Sequence, residues 1–363
     1  MKKRIISLIM VVVLSFSLTQ NIFAVEQNDD AISFVSNHLT SIFNSLIDVE
    51  DFNLQNTDPN NLYIGNPIMF YANENGHTSY ASLYPLIYND LSKPSVLGFS
   101  RIIENDSGER TIDYCTNPAP EVNEFISEYG NTPFCIIRYD DYTKVLGQDT
   151  PELNILLASE TTVDLDGLYF GDLEFSLITP KVKLSLPTHG TSIYAVQHNS
   201  LNVPDIRQKG KYTCWAACIA SIVDYHYGYS LDSTNIVVKA ANAGIITTGD
   251  KGATLTEAKQ VLDLYGGRNT KHTSYLSYND LVSCINSDCP LWLAGINIDN
   301  SDDMGHAVVA RGYYYDSNTG SKTMYYMEPN SGFRASEFPS SGAITYTNGS
   351  SNYRNTGYII CNK

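Results

Sequence analysis

The residues of this 363-residue chain whose types and spacing could do chemistry centre on Lys211-Tyr212-Thr213-Cys214-Trp215-Ala216-Ala217-Cys218, with Gln208 just ahead. Trp215, Cys218, Ile219, Ile222, Val223 and His226 recur at helical spacing, which places Cys214 at or near a helix N-terminus. Unpaired backbone N–H groups and the helix dipole favour an anion there, so a thiol ionises more easily. A thiolate nucleophile needs a base and a donor for the developing oxyanion. His226 lies farther along the same helix, roughly 18 Å from Cys214 at 1.5 Å per residue, and is out of reach. His272 falls in a polar stretch between helical patterns and reads as structural. His306 follows Gly305 and opens the buried-strand pattern Ala307-Val308-Val309-Ala310, where a ring can face a cleft while the strand fixes it. The imidazole needs a third group to orient it. The end of the next strand, Met327-Glu328-Pro329-Asn330-Ser331-Gly332, offers two. Glu328 would favour an imidazolium through its charge, whereas Asn330 would supply a neutral amide.

Gln208, Cys214-Trp215-Ala216 six positions later, Gly305-His306-Ala307-Val308 and a closing Glu328-Pro329 together resemble the papain superfamily of cysteine peptidases. Within it they look most like secreted bacterial staphopain-like and bacteriocin-processing-type enzymes. The resemblance covers about residues 201–335. It implies Cys214 as nucleophile, His306 as general base and acid, and Gln208 as oxyanion donor. Those families usually place Asn or Asp directly before the proline, and this chain has Glu328 there, with Asn330 as the alternative. The candidate catalytic set is therefore Cys214, His306, Glu328 and Gln208.

The elements that must position this set read as α+β. Val203-Pro204 enters extended, and a helix runs from Cys214 to about Tyr227, stopped by Gly228. Thr254 with Glu257 forms a capping box for a second helix, and Ser277 with Asp280 starts a third. Strands are expected at 291–298, 306–315 and 323–327. This order fits a papain-like catalytic domain over 197–363, with the cysteine on a central helix and an antiparallel sheet behind it. Ahead of it, the apolar spacing of Ile32, Val35, Leu39, Ile42, Phe43 and Leu46 predicts an amphipathic helix. Short strands follow at 68–71, 86–88, 96–103 and 111–114, then a helix over 120–129 and a strand over 134–139. We read 25–196 as a separate α+β propeptide-like domain, with residues 150–200 as linker. His38 and His77 each stand alone there.

Composition narrows the function classes. Hydrophobic content of 43% and charged content of 17% describe a globular chain. A net charge of −16 argues against nucleic acid or an anionic membrane surface as partner. Residues 25–196 carry 25 acidic and 7 basic side chains, against 14 and 13 in residues 197–363, which supports two units with different tasks. Lys2, Lys3 and Arg4, the apolar run Ile5–Leu18 and Ile22-Phe23-Ala24 read as a signal peptide over 1–24, so a secreted, extracellular enzyme is expected. The acidic unit is expected to block the cleft until removed, in a monomer acting on protein or peptide substrates. No cofactor or metal is expected. Seven cysteines leave one free thiol if the rest pair, with Cys115–Cys135 an attractive pair within the acidic half. Competing readings are a transglutaminase-like acyltransferase, a cell-wall amidase, or a binding module with a dead site.

Overall fold

The computed structural model describes residues 29–47, 49–55, 57–74, 77–90, 93–105, 107–139, 142–148, 150, 173–186, 196–246, 252–299 and 305–363. The leader and the Thr188-His189-Gly190 stretch lie outside the described residues. The first helix, α1 (29–47), buries Ile32, Val35, Leu39, Ile42, Phe43 and Leu46, the stripe its spacing predicts. Then come β1 (Leu62–Gly65), β2 (Ile68–Glu74), β3 (His77–Asp90), β4 (Lys93–Glu104), β5 (Arg110–Cys115), α2 (Ala119–Tyr129), β6 (Phe134–Tyr139), β7 (Tyr142–Gly147) and β8 (Pro180–Lys183).

The second half opens with β9 (Val196–Ser200), followed by α3 (Cys214–Tyr227), α4 (Ser233–Asn242), α5 (Leu255–Asp263), β10 (Thr270–His272) and α6 (Tyr278–Asn286). It closes with β11 (Leu291–Asn297), β12 (His306–Asp316), β13 (Lys322–Glu328), β14 (Gly332–Glu337), β15 (Thr345–Asn348) and β16 (Ser351–Ile360). Helix α3 is buried nearly all round, and packs on β12 within a core that includes Trp215, Ile219, Trp292, Val308 and Tyr326. It ends where Gly228 takes a left-handed conformation, φ 65°, and returns its N–H to Asp224 O. Glycine reaches that conformation without the steric penalty a side chain meets.

The α+β class holds, and the separateness of the two halves does not. One mixed sheet of 16 strands runs through both, in the order β10-β16-β11-β12-β13-β14-β5-β4-β3-β2-β6-β7 with the remaining strands alongside. The joint is the antiparallel β14–β5 pair, with Arg334 opposite Cys115 and Ser336 opposite Asp113. A second core crosses the joint: α1, Leu62 and Tyr114 pack with Tyr314, Tyr325 and Ala335. Tyr325 donates its hydroxyl hydrogen to Ser45 O at 2.7 Å. Two acidic residues of the first half meet cations of the second, Asp51 with Arg311 and Asp113 with Arg334. His38, expected to stand alone, joins Glu337 at 2.6 Å.

Segments 180–183 and 196–200, read as linker, are strands. The second of these pairs with β12 and so spans the expected boundary at 196. Their short, mixed sequences carry no period, so pairing partners elsewhere in the chain decide their conformation. All seven cysteines are free. Cys115 donates its thiol to Asn117 O, and Cys135 lies in a different apolar cluster with Tyr71 and Ile137. Three strands separate β5 from β6 in the sheet order.

Both tryptophans lie in the second half, so their fluorescence reports its unfolding. Phe43→Ala, in the first half, is expected to cost about 3–5 kcal/mol. It should lower the urea midpoint read by that fluorescence, whereas independently folding halves would leave the tryptophan transition in place.

Candidate active site

Cys214 is the first residue of α3 and is half-buried. The N-cap residue Thr213 does not cap its own helix: its hydroxyl donates to Gly210 O at 2.9 Å and accepts from Gly210 N at 3.0 Å. Its side chain therefore takes none of the first-turn N–H groups, and that of Ala216 goes to Thr213 O at 3.0 Å. Trp215 N–H donates to the Cys214 sulfur, as does Ala307 N–H from β12.

His306 begins β12 beside Gly295 of β11. Tyr346 donates its hydroxyl hydrogen to His306 O at 2.9 Å, and the ring of Tyr353 lies 5.1 Å from the imidazole. A Cβ on Gly295 would collide with the Tyr346 hydroxyl, so glycine is required where these chains approach. The imidazole hydrogen-bonds Cys214 on one side. On the other, Nε2 meets Glu328 Oε1 at 2.9 Å, which leaves Nδ1 for the sulfur.

Glu328 ends β13 and is fully buried. The turn Pro329-Asn330-Ser331 folds back over it: Asn330 N–H donates to Oε1 at 3.0 Å and the Ser331 hydroxyl donates to Oε2. Gly332, with φ 91°, closes the turn against the Arg207 guanidinium. Of the two groups proposed to orient the imidazole, Glu328 is therefore the one beside it. The Asn330 amide donates to Asn348 Oδ1 at 2.9 Å instead.

Burial alone would raise the Cys214 thiol, but the charge and hydrogen bond of His306, with the two backbone N–H groups, hold it below the ordinary value. For His306 burial opposes the charged ring. The Cys214 charge and hydrogen bond, aided by Glu328, outweigh it and raise the imidazole to about 10. Burial pushes Glu328 up as well, yet His306, then Arg138 of β6 and Ser331, bring it to about 2. These shifts favour a thiolate, an imidazolium and a carboxylate in a row. Such a row can attack a carbonyl carbon and deliver a proton to a leaving amine.

Gln208 sits beside this row and is tied to the Glu328 turn by its own N–H, which donates to Pro329 O at 3.0 Å. Its side-chain Nε2 donates to Gly210 O at 3.1 Å and Lys211 O at 3.4 Å. Turning the amide over would set its oxygen against two carbonyl oxygens, so this orientation is the favourable one. Oε1 is buried without a hydrogen-bond partner among the described residues. Elsewhere, His226 Nε2 meets Cys361 O at 2.8 Å and His272 stacks on Tyr358. Among the described residues no group of three or more His, Cys, Asp and Glu is placed to hold a metal. Sequence reading assigned no role to Ser331, Tyr346, Asp113, Arg334 or Arg138. The detectable signal was charge inside apolar strands, Ile112-Asp113-Tyr114 and Phe333-Arg334-Ala335, which implies buried pairs.

Residues 197–343 match the family model described as papain-like cysteine protease AvrRpt2. A comparison with curated proteins finds no match. The match spans less than half of the chain, and over that segment it indicates a papain-like cysteine peptidase, an enzyme class that acts on proteins or peptides.

Burial raises the other six thiols, so iodoacetamide at mild pH should report Cys214 alone. Its alkylation should begin below the pH of about 8.5 at which an ordinary thiol ionises. Removing the carboxylate destabilises the imidazolium and, through it, the thiolate. Glu328→Gln is therefore expected to move the onset up by roughly one pH unit; an unchanged alkylation profile would count against the orienting role of Glu328.

Proposed function

We propose that the protein hydrolyses internal peptide bonds through the Cys214 thiolate and an acyl-enzyme. The observation that carries this reading is the row of hydrogen-bonded side chains Cys214, His306 and Glu328, supplied by the start of one helix and the facing ends of two adjacent strands. The thiolate adds to the carbonyl carbon. The oxyanion is held by the Cys214 N–H in the first helical turn and by Gln208 Nε2, once that amide releases one of its loop carbonyls. His306 gives its proton to the leaving amine, and Glu328 keeps Nε2 engaged so that Nδ1 stays aimed at the sulfur. His306 then takes a proton from water, which hydrolyses the thioester.

The likeness to staphopain-like and bacteriocin-processing enzymes enters here on the Gln208-to-Cys214 spacing. The leader-like residues 1–24 support export to the extracellular space. No helix among the described residues is long and apolar enough to cross a membrane. A precursor is the form we favour, in which a cut between residues 186 and 196 leaves both halves joined through β14–β5. The shared sheet favours this retained form over an inhibitor that is shed.

Cys214→Ala should lower cleavage of casein or a peptide library by several orders of magnitude while leaving the folded chain intact. New amino termini, read by mass spectrometry, distinguish hydrolysis from acyl transfer to an added amine; normal cleavage by this variant would sink the proposal. Gln208→Ala should reduce kcat by roughly 100-fold with little change in KM, measured on the same peptide.

A further inference from the structure

We propose that Asp113, in the half that precedes the family-matched segment, is a positioning residue of the peptidase site. It acts by fixing Arg334 so that Ser331 is turned onto Glu328. This inference rests on the catalytic reading above.

Asp113 belongs to β5 and is fully buried. Its carboxylate is saturated by second-half donors. Tyr326 reaches Oδ1 at 2.7 Å, Thr347 reaches Oδ2 at 2.6 Å, and Arg334 reaches Oδ2 through Nε at 2.9 Å and again through Nη2. A charge this deep is tolerable only with paired charge and filled hydrogen-bonding capacity. The guanidinium held this way turns its remaining terminal nitrogen outward, and Nη1 donates to Ser331 Oγ at 3.2 Å. A serine hydroxyl has one hydrogen. With its oxygen accepting from Arg334, that hydrogen goes to Glu328 Oε2. Glu328 Oε1 is then left for Asn330 N–H and His306 Nε2. The chain of bonds runs unbroken from β5 of the first half to the imidazole. It reaches the thiolate through His306.

A second strand of the first half acts on the same carboxylate. Arg138 of β6 faces Glu328 closely enough to help keep it ionised. Besides these cations and His306, charged or titratable groups around Glu328 include Asp205 with its partner Arg207, Cys115 and Cys218. The active site thus draws its outer support from both sides of the β5–β14 joint. The first half is a working part of the enzyme on this view.

The test uses the full chain and two readouts: the pH profile of Cys214 alkylation by iodoacetamide, and kcat and KM on a cleaved peptide. Asp113→Asn weakens the hold on Arg334, so that Ser331 is no longer turned onto Glu328 and the carboxylate orients and holds the imidazolium less firmly. The onset of alkylation should move up by roughly one pH unit, so that the rate at pH 6 falls roughly tenfold. kcat should drop with KM little changed. Should Asp113→Asn fail to fold, Arg334→Lys keeps a cation for Asp113 but cannot span both Asp113 and Ser331, and should give the same displacement. Combining the folded variant with Ser331→Ala should add little further, since both cut one chain of bonds. A folded variant whose alkylation profile matches the wild type overturns the proposal, whatever its yield or stability. Failure of the catalytic reading shows differently, as wild-type cleavage that Cys214→Ala does not abolish.

Discussion

The constraint on which this structure depends is the burial of a full negative charge at Glu328. A carboxylate removed from water is costly unless every lone pair is engaged and an opposite charge stands close by. Here the opposite charge is the imidazolium, whose own charge is maintained by the thiolate on its far side. None of the three ionised forms is stable alone in that place. Together they alternate in sign, and the alternation continues through Ser331 to Arg334 and Asp113. The placement of α3, the register of β12 and β13, and the tight Pro329-Asn330-Ser331 turn all serve to bring these groups within hydrogen-bond reach.

The sheet explains how such a row is kept in line. Antiparallel neighbours fix His306 and Glu328 relative to each other, because both stand at the same end of adjacent strands. The bond from Tyr346 to His306 O pins the start of β12, and the absence of a side chain at Gly295 lets that tyrosine approach. Continuing the sheet into β5 adds a third support that local hairpins cannot supply. The two halves are coupled through backbone ladders and one common core.

Much of this was legible in the sequence where a local signal existed. The helix opening on Cys214, the strand opening on His306 and the Glu328-Pro329 ending each carry periodicity or a punctuating residue. The α1 stripe and the capping boxes of α5 did so too. What escaped lacked such signals. Helix α4 is capped by Asp232 and Asn235, a box without the usual Glu or Gln. In β16 the inward-facing positions include Ser351, Asn355 and Gly357, so alternation of burial is not alternation of hydropathy. Glu328 and Asn330 are two residues apart in one turn, and only the register of the neighbouring strand decides which meets the ring. The joint between the halves depends on pairing over more than two hundred positions, which no window of sequence contains.

The β14–β5 joint also bears on how this chain can be divided. A catalytic half taken alone would present β14 as a bare edge, with the unsatisfied N–H and C=O groups of Arg334 to Ser336 in a row and the Arg334 charge stripped of Asp113. Such an edge is a template for any passing strand. The preceding half therefore acts as a gatekeeper for the edge as well as a scaffold. Separated from it, the catalytic half would meet its own copies edge to edge, and loss of solubility would precede any question of lost activity.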